Sequence, residues 1–319
     1  MLKRYNINTQ ILLLIGILIV IPFLFQNDFY YEIAILSILN ALIVIGLNLL
    51  MGYAGQVSLG HGAFAGLGAY ISVVLTSNYG LTPLLSIFIS VVIMGLLGFI
   101  ISKPILKLKG HYLAMATLGI GIIINIVLEV EEEFTGGVDG MSVDSFVVFG
   151  YEFDNSVAWY ILCAVLLVFT IWAFENLIKS PFGRLLRSIR DSEKAANSVG
   201  IDVSYYKSIV FVISVVIATI AGSLYAFFSG FISPQEASFT HSIELVVMVV
   251  LGGLGRVYGA IFGAVILTVL PQLLTSFEDY ETLVFGMIII SVMIFMPKGI
   301  ASIFDKVVKK KEQNSASSK

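Results

Sequence analysis

The chain is short of charge. Asp, Glu, Lys and Arg make up only 12% of its 319 residues, against 58% hydrophobic, and the mean hydropathy is +0.98. A soluble domain carries roughly 25% charged residues, so a surface composed this way cannot be held in water. Cysteine is nearly missing as well. The lone Cys163 excludes an internal disulfide and, set in an apolar run, reads as small core filler. The three histidines, His61, His111 and His241, lie far apart in sequence and suggest no metal-ligand cluster. No G-x-x-x-x-G-K-[ST] phosphate loop occurs anywhere. The net charge of −3 says little in sum, because the distribution of charge carries the signal.

What remains is a series of long apolar runs. A transmembrane helix needs roughly 20 mainly apolar residues. Runs of that kind occupy Gln10–Gln26, Ile33–Met51, Gly62–Ser77, Pro83–Ser102, Tyr112–Val130, Val157–Ile178, Ser208–Gly230 and Leu283–Pro297. The block Ser242–Thr275 is too long for one ordinary span and is interrupted by Gly252-Gly253-Leu254-Gly255-Arg256, which predicts two short crossings or a helical hairpin. The first run follows Lys3 and Arg4 like a signal peptide, but no small-x-small cleavage site follows its core, so it is expected to be an anchor. The fold class expected is an all-α integral membrane protein with about ten helices, both termini cytoplasmic. Residues 1–32 form the anchor, 33–302 the transmembrane domain and 303–319 a cytoplasmic tail.

Alternating sides from an inside N-terminus places all 18 Lys and Arg residues inside: Lys3 and Arg4; Lys103, Lys107 and Lys109; Lys179 to Lys207; Arg256; and Lys298 onward. The outside segments hold none and carry most of the acids, including Glu131, Glu132 and Glu133. Dropping or adding one span would put a basic cluster outside, against the positive-inside rule.

The spans themselves hold almost no charge. A charged group at mid-membrane costs at least ~2.5–3.5 kcal/mol, so where one persists it usually marks an ion or proton path. Its scarcity here suits a net-neutral or zwitterionic solute. The interior is rich in glycine instead, in one block from Gly52 to Gly68 and another from Gly252 to Gly263. Small-xxx-small pairs such as Gly62/Gly66 let helices approach closely, and packing alone would explain each glycine. Asn48, Gln56, Ser58, His61 and Gly62, together with Gly252, Gly253 and Gly255, are also candidates for a translocation path. Non-helical backbone at membrane depth is tolerated only in protein or beside a water-filled cavity. The similar location of the two blocks in the two halves hints at an inverted repeat.

The longest inside loop, 179–207, places Arg184, Arg187 and Arg190 at every third position, with Asp191 and Glu193 following and Gly200 set to stop the helix. It reads as a membrane-surface anchor or as a docking helix for a cytoplasmic partner. Glu193, Ala195, Ala196 and Gly200 favour docking, since small residues beside an acid form a compact knob.

At these residues a resemblance enters. Glu193-Lys-Ala-Ala-Asn-Ser-Val-Gly200 resembles the E-A-A-x-x-x-G coupling motif of ABC-transporter permeases. Gly46-Leu-Asn-Leu-Leu-Met-Gly-Tyr-Ala-Gly-Gln-Val-Ser-Leu-Gly-His-Gly-Ala-Phe64 is similar to the signature of the branched-chain amino acid permeases. So are Gly110-His-Tyr-Leu-Ala-Met-Ala-Thr-Leu-Gly119, Thr135-Gly-Gly-Val-Asp-Gly140, Val249-Val-Leu-Gly-Gly-Leu-Gly255 and Met296-Pro-Lys-Gly-Ile300. They run in the expected order over roughly residues 35–300 and look most like the LivM-like branch. One departure is Ile122, where many members carry a glutamate. The resemblance implies a permease without enzymatic activity or cofactor. Its expected partners are a homologous permease subunit, two cytoplasmic ATPase subunits, an extracytoplasmic substrate-binding protein and the lipid bilayer, with no nucleic acid. It implies the cytoplasmic (inner) membrane of a prokaryote and a branched-chain or related neutral amino acid as solute. A urea or short-amide importer permease is the alternative within the class, and a secondary transporter the alternative outside it.

Overall fold

A computed structural model describes residues 9–24, 27–106, 108, 110–148 and 150–274, and beyond these only residues 283, 286, 287 and 290. Lys3, Arg4, Lys107, Lys109, most of the expected span Leu283–Pro297, the motif Met296–Ile300 and the tail 303–319 lie outside the described residues. Twelve α-helices are described: α1 (Thr9–Leu24), α2 (Asp28–Asn48), α3 (His61–Ser77), α4 (Pro83–Ile105), α5 (His111–Val130), α6 (Glu132–Thr135), α7 (Ser156–Lys179), α8 (Pro181–Asp191), α9 (Glu193–Ser198), α10 (Val203–Ser229), α11 (Phe239–Gly252) and α12 (Val257–Leu274). Among the described residues, five helical stretches are long and apolar enough to cross a membrane, α2 together with the turn that continues it, α4, α5, α7 and α10; α1, α3, α11 and α12 are apolar but shorter.

Local chemistry starts and stops these helices. Asn27, Asn155, Ser192, Asp202 and Ser238 each accept a backbone N–H from the first turn they precede. Pro83 and Pro181 open α4 and α8, where a missing N–H loses nothing. Inside α1, Pro22 cannot donate to the carbonyl of Leu18. The hydroxyl of Tyr160 donates to it instead, at 2.8 Å, and so ties α1 to α7.

In lipid, helices associate through close packing and hydrogen bonds rather than hydrophobic force. The core follows that rule. The carbonyl of Gly68 on α3 accepts from Ser90 of α4 at 2.6 Å and from Ser223 of α10 at 3.3 Å, and Ser72 pairs with Ser223 at 2.7 Å. Such bonds contribute about 0.6 kcal/mol each on average. Small residues allow the approach: a Cβ on Gly222 would overlap the backbone of Ala65.

Helix direction alternates. α2 runs antiparallel to α12, with Asn40 bonded to Thr268 and Asn48 to the carbonyl of Arg256. It runs parallel to α7, with the Tyr31 ring edge-on to Tyr160 and the ring of Tyr53, just beyond α2, edge-on to Phe174. One end of the bundle thus collects Lys103, Lys179, the α8–α9 loop and Arg256. At the other end, antiparallel two-residue strands β1 (Met141–Ser142) and β4 (Phe231–Ile232) pair Met141 with Ile232, while β2 (Val147–Val148) and β3 (Tyr151–Glu152) form a hairpin. The Thr135–Gly140 stretch makes the turn into β1, and Gly136, Gly137 and Gly140 all have positive φ.

Gly62–Ser77, expected as a span, and the first part of Ser242–Thr275, expected as a short crossing or one arm of a hairpin, each form a helix too short to span a bilayer alone. α3 has 17 residues and α11 has 14, about 25 and 21 Å at 1.5 Å per residue, less than the ~30 Å apolar core of a bilayer. His61 at the start of α3 bonds Ser214, near the middle of the 27-residue α10, and Gly62 bonds Ser242 in the first turn of α11. Both short helices therefore begin at mid-bundle and run to opposite ends, and 54–60 and 230–238 return there as chain that is largely not α-helical. The two glycine blocks touch each other, Gly52 against Gly255.

Candidate functional site

The contact between the blocks lies at the basic end. After Asn48 the helix widens into a π-turn, Leu49–Tyr53, which brings the backbone of Gly52 against that of Gly255. π-turns inside helices occur frequently at functional sites. A side chain on Gly52 would overlap the Gly255 nitrogen, so only glycine permits the approach. Asn48 closes the junction with both ends of its amide. Its Oδ1 accepts the Gly255 N–H at 2.8 Å and its Nδ2 donates to the Arg256 carbonyl at 2.9 Å. The Tyr53 hydroxyl donates to the Gly255 carbonyl at 2.7 Å.

The α8–α9 loop reaches this junction through one residue. Arg190 donates from Nη1 to the carbonyl of Gly52, and its side chain lies against Gly55 and Gly255. α8 is held to the end of α7 at its other side, where Gly183 packs on the Ile178 carbonyl and Arg187 donates to the same oxygen at 3.4 Å. The loop is two helices rather than one, broken at Ser192. Arg184, Asp191, Ala195 and Gly200 are exposed. Ala196 turns inward and packs with Ile189 and Val203, so its small size is demanded by this chain's own packing. Glu193 forms a 2.6 Å ion pair with the buried Lys207.

A second group lies at mid-bundle, where α3 begins. His61 is fully buried, with Nδ1 2.8 Å from the Ser58 hydroxyl and Nε2 2.6 Å from that of Ser214. The Leu59 N–H donates to Thr117 of α5 at 3.0 Å, and the Gly62 N–H to Ser242 at 3.1 Å. Gln56 is buried with neither amide atom bonded among the described residues. These groups hold a broken helix in place and supply polar atoms at that depth. They contain no nucleophile paired with a base and orienting acid.

The structure therefore joins Asn48, Gly255 and Arg190 in one junction and Ser58, His61 and Gly62 in another. Gly252 packs on the carbonyl of Gly259 and Gly253 caps α11, so both serve the α11–α12 turn. Tyr53 and Thr117 complete the two groups from inside the motifs Gly46–Phe64 and Gly110–Gly119, and Ser214 and Ser242 from apolar runs in which a serine carries no signal of its own. Glu236 carries none in the sequence either. Its loop folds back until Ala237 meets Gly66, and its Oε1 accepts from Tyr225 at 2.9 Å. Ile122 is 41% exposed on α5.

Residues 29–296 match the family described as "Branched-chain amino acid transport system / permease component". Over 293 residues the chain is 32% identical to the high-affinity branched-chain amino acid transport system permease protein LivM of Salmonella typhimurium, covering 84% of this chain and 69% of the relative. Its Escherichia coli counterpart gives the same figures. A probable branched-chain amino acid transport permease protein LivH of Methanocaldococcus jannaschii is 25% identical over 290 residues, covering 85% of this chain and 91% of the relative. No solved structure gives a significant match.

Proposed function

Since the chain belongs to the permease family of branched-chain amino acid transport systems, we propose that it forms half of an importer pore completed by a homologous permease. The solute is a branched-chain or related neutral amino acid. Ten crossings put both termini, the α8–α9 loop and Arg256 in the cytoplasm, in the inner membrane of a prokaryote. Support comes from the segregation of every Lys and Arg to one side of that arrangement. Two ATPase subunits grip the exposed residues Arg184, Asp191, Ala195 and Gly200 of the loop and supply the hydrolysis. An extracytoplasmic binding protein delivers solute at the opposite end, beside Glu131–Glu133.

The observation that carries the energy coupling is the bond from Arg190 to Gly52. A shift of α8 acts on the carbonyl of the π-turn, and through the Gly52–Gly255 contact and Asn48 it acts on the α11–α12 turn. Movement of the ATPase subunits is thereby passed to two interrupted helices at once. The test is solute uptake and ATP hydrolysis by the reconstituted complex. Arg190→Ala should retain its ATPase subunits but take up roughly tenfold less solute per ATP, the scale of one charged hydrogen bond. Arg190→Lys should recover part of the loss. Full coupling in Arg190→Ala would overturn this route, whereas uptake without ATP would overturn the importer reading itself.

A further inference from the structure

One carboxylate is carried into the bundle by a segment that is not a span. Glu236 sits in the short turn Pro234–Ala237, where Ala237 packs on Gly66 of α3. Gly66 lies about 7.5 Å along α3 from His61, and His61 is at mid-bundle. That is short of the ~15 Å from the midplane to the edge of a bilayer's apolar core. Among the described residues no Lys or Arg forms an ion pair with Glu236. An acid at such depth is costly and marks function more often than packing.

Glu236 borders a cavity of about 200 Å³ between α2, α3, α10, α12 and the first turn of α11. The volume is below the ~300–1,000 Å³ of sites for drug-sized ligands and suits a molecule the size of a single amino acid. One wall is aliphatic, with Leu36, Leu39 and Ile43 of α2 beside Ala65 and Ala69 of α3. The other is polar and mostly accepts. Tyr225 donates its proton to Glu236 Oε1, and Asn40 donates from Nδ2 to Thr268 at 3.0 Å. His241 Nδ1 donates to the Glu236 carbonyl at 2.8 Å, which leaves Nε2 of the neutral ring an acceptor. Glu236 Oε2 and Asn40 Oδ1 accept no hydrogen bond from the described residues. An ammonium is the complement of such a wall, with three donors, no acceptor and one positive charge.

We propose that Glu236 is a specificity-determining residue, its carboxylate receiving the primary ammonium of a small amino acid whose apolar side chain lies on the Leu39 and Ile43 wall. The part it plays in transport rests on the importer reading above; the ammonium site rests on the cavity alone. A urea or short amide carries no charge to offset the carboxylate and is rejected on that account.

The test begins with protection. Thr268→Cys puts a thiol on the cavity wall, and the complex is reconstituted without binding protein. L-Leucine should slow modification of that thiol by a methanethiosulfonate reagent, and so should isopentylamine, which keeps the ammonium and the branch. Isocaproate, which keeps the branch and the carboxylate but has no ammonium, should not. Adding Glu236→Gln should raise the L-leucine concentration needed by roughly tenfold, the scale of one charged hydrogen bond. The amide of that variant can still accept from Tyr225, so a purely structural Glu236 predicts no change. Lack of protection by L-leucine, equal protection by isocaproate, protection by sodium chloride alone, or an unchanged response in Glu236→Gln would each overturn the proposal. ATP-driven L-leucine uptake with binding protein present, in chains that keep Thr268, is the second measurement. Glu236→Gln should lower its maximal rate roughly tenfold, and a wild-type rate in that variant would overturn the specificity role. A wild-type complex with no ATP-driven uptake would instead overturn the importer reading, and the protection results would still decide the ammonium site.

Discussion

At the scale of single residues, the glycines sort by what a methyl group would meet. Gly52→Ala drives a Cβ into the Gly255 backbone, which cannot move without carrying the α11–α12 turn with it. The expected cost is about 1–3 kcal/mol, with loss of uptake even where the protein inserts. Gly16→Ala is the control. It meets nothing within 4 Å on α1 and should be neutral or slightly stabilising by helix propensity. Thermal stability and uptake of the two variants decide the matter, and wild-type uptake in Gly52→Ala would show that the junction tolerates separation. His61 is a different case. Its two ring nitrogens satisfy two buried hydroxyls, so His61→Ala strands both at about 1–3 kcal/mol apiece. A melting temperature equal to wild type would show that water replaces the imidazole.

At the scale of elements, the α8–α9 pair separates contact from packing. Ala195 is exposed, whereas Ala196 lies in the small cluster with Ile189 and Val203. Ala195→Trp should therefore keep the melting temperature and lose ATPase-subunit binding in a pull-down. Ala196→Trp should lower the melting temperature and expose the loop to protease, because the indole has no space. Normal ATPase binding by Ala195→Trp would remove α9 from the proposed contact. The sequence made this loop legible as a motif, down to the acid, the small pair and the stop glycine. It did not show which alanine faces in, because a six-residue helix carries too little periodicity to define a face. The long helices were legible for the opposite reason, since twenty apolar residues in a row admit few structures. The half-length of α3 was not. Hydropathy counts apolar residues but not depth, and depth here is set by contacts such as His61 with Ser214, 153 positions apart. The meeting of Gly52 and Gly255 is hidden in the same way, because each block alone reads as ordinary small-residue packing.

At the scale of the whole molecule, orientation is the quantity to measure. Cysteine placed at Ser142 in β1 should react with an impermeant maleimide in intact cells, while cysteine at Ser188 in α8 should react only after permeabilisation. Cys163 is buried and should stay silent. Labelling of Ser188→Cys from outside would reverse the arrangement. A further consequence follows from α3 and α11 beginning together at mid-bundle. Aligned peptide dipoles leave roughly half a positive charge at each helix N-terminus, so two such ends meet where Gly62 touches Ser242. Paired half-helix ends of this kind repel protons and other cations. A Ser242→Asp variant would neutralise that field, and reconstituted vesicles carrying it should leak protons faster under an imposed potential; an unchanged leak would show that the field does not reach the path. A faster leak in Ser242→Asp would make the meeting of α3 and α11 a barrier to cations as well as a packing contact, and so a part of what keeps the resting protein from draining the membrane potential.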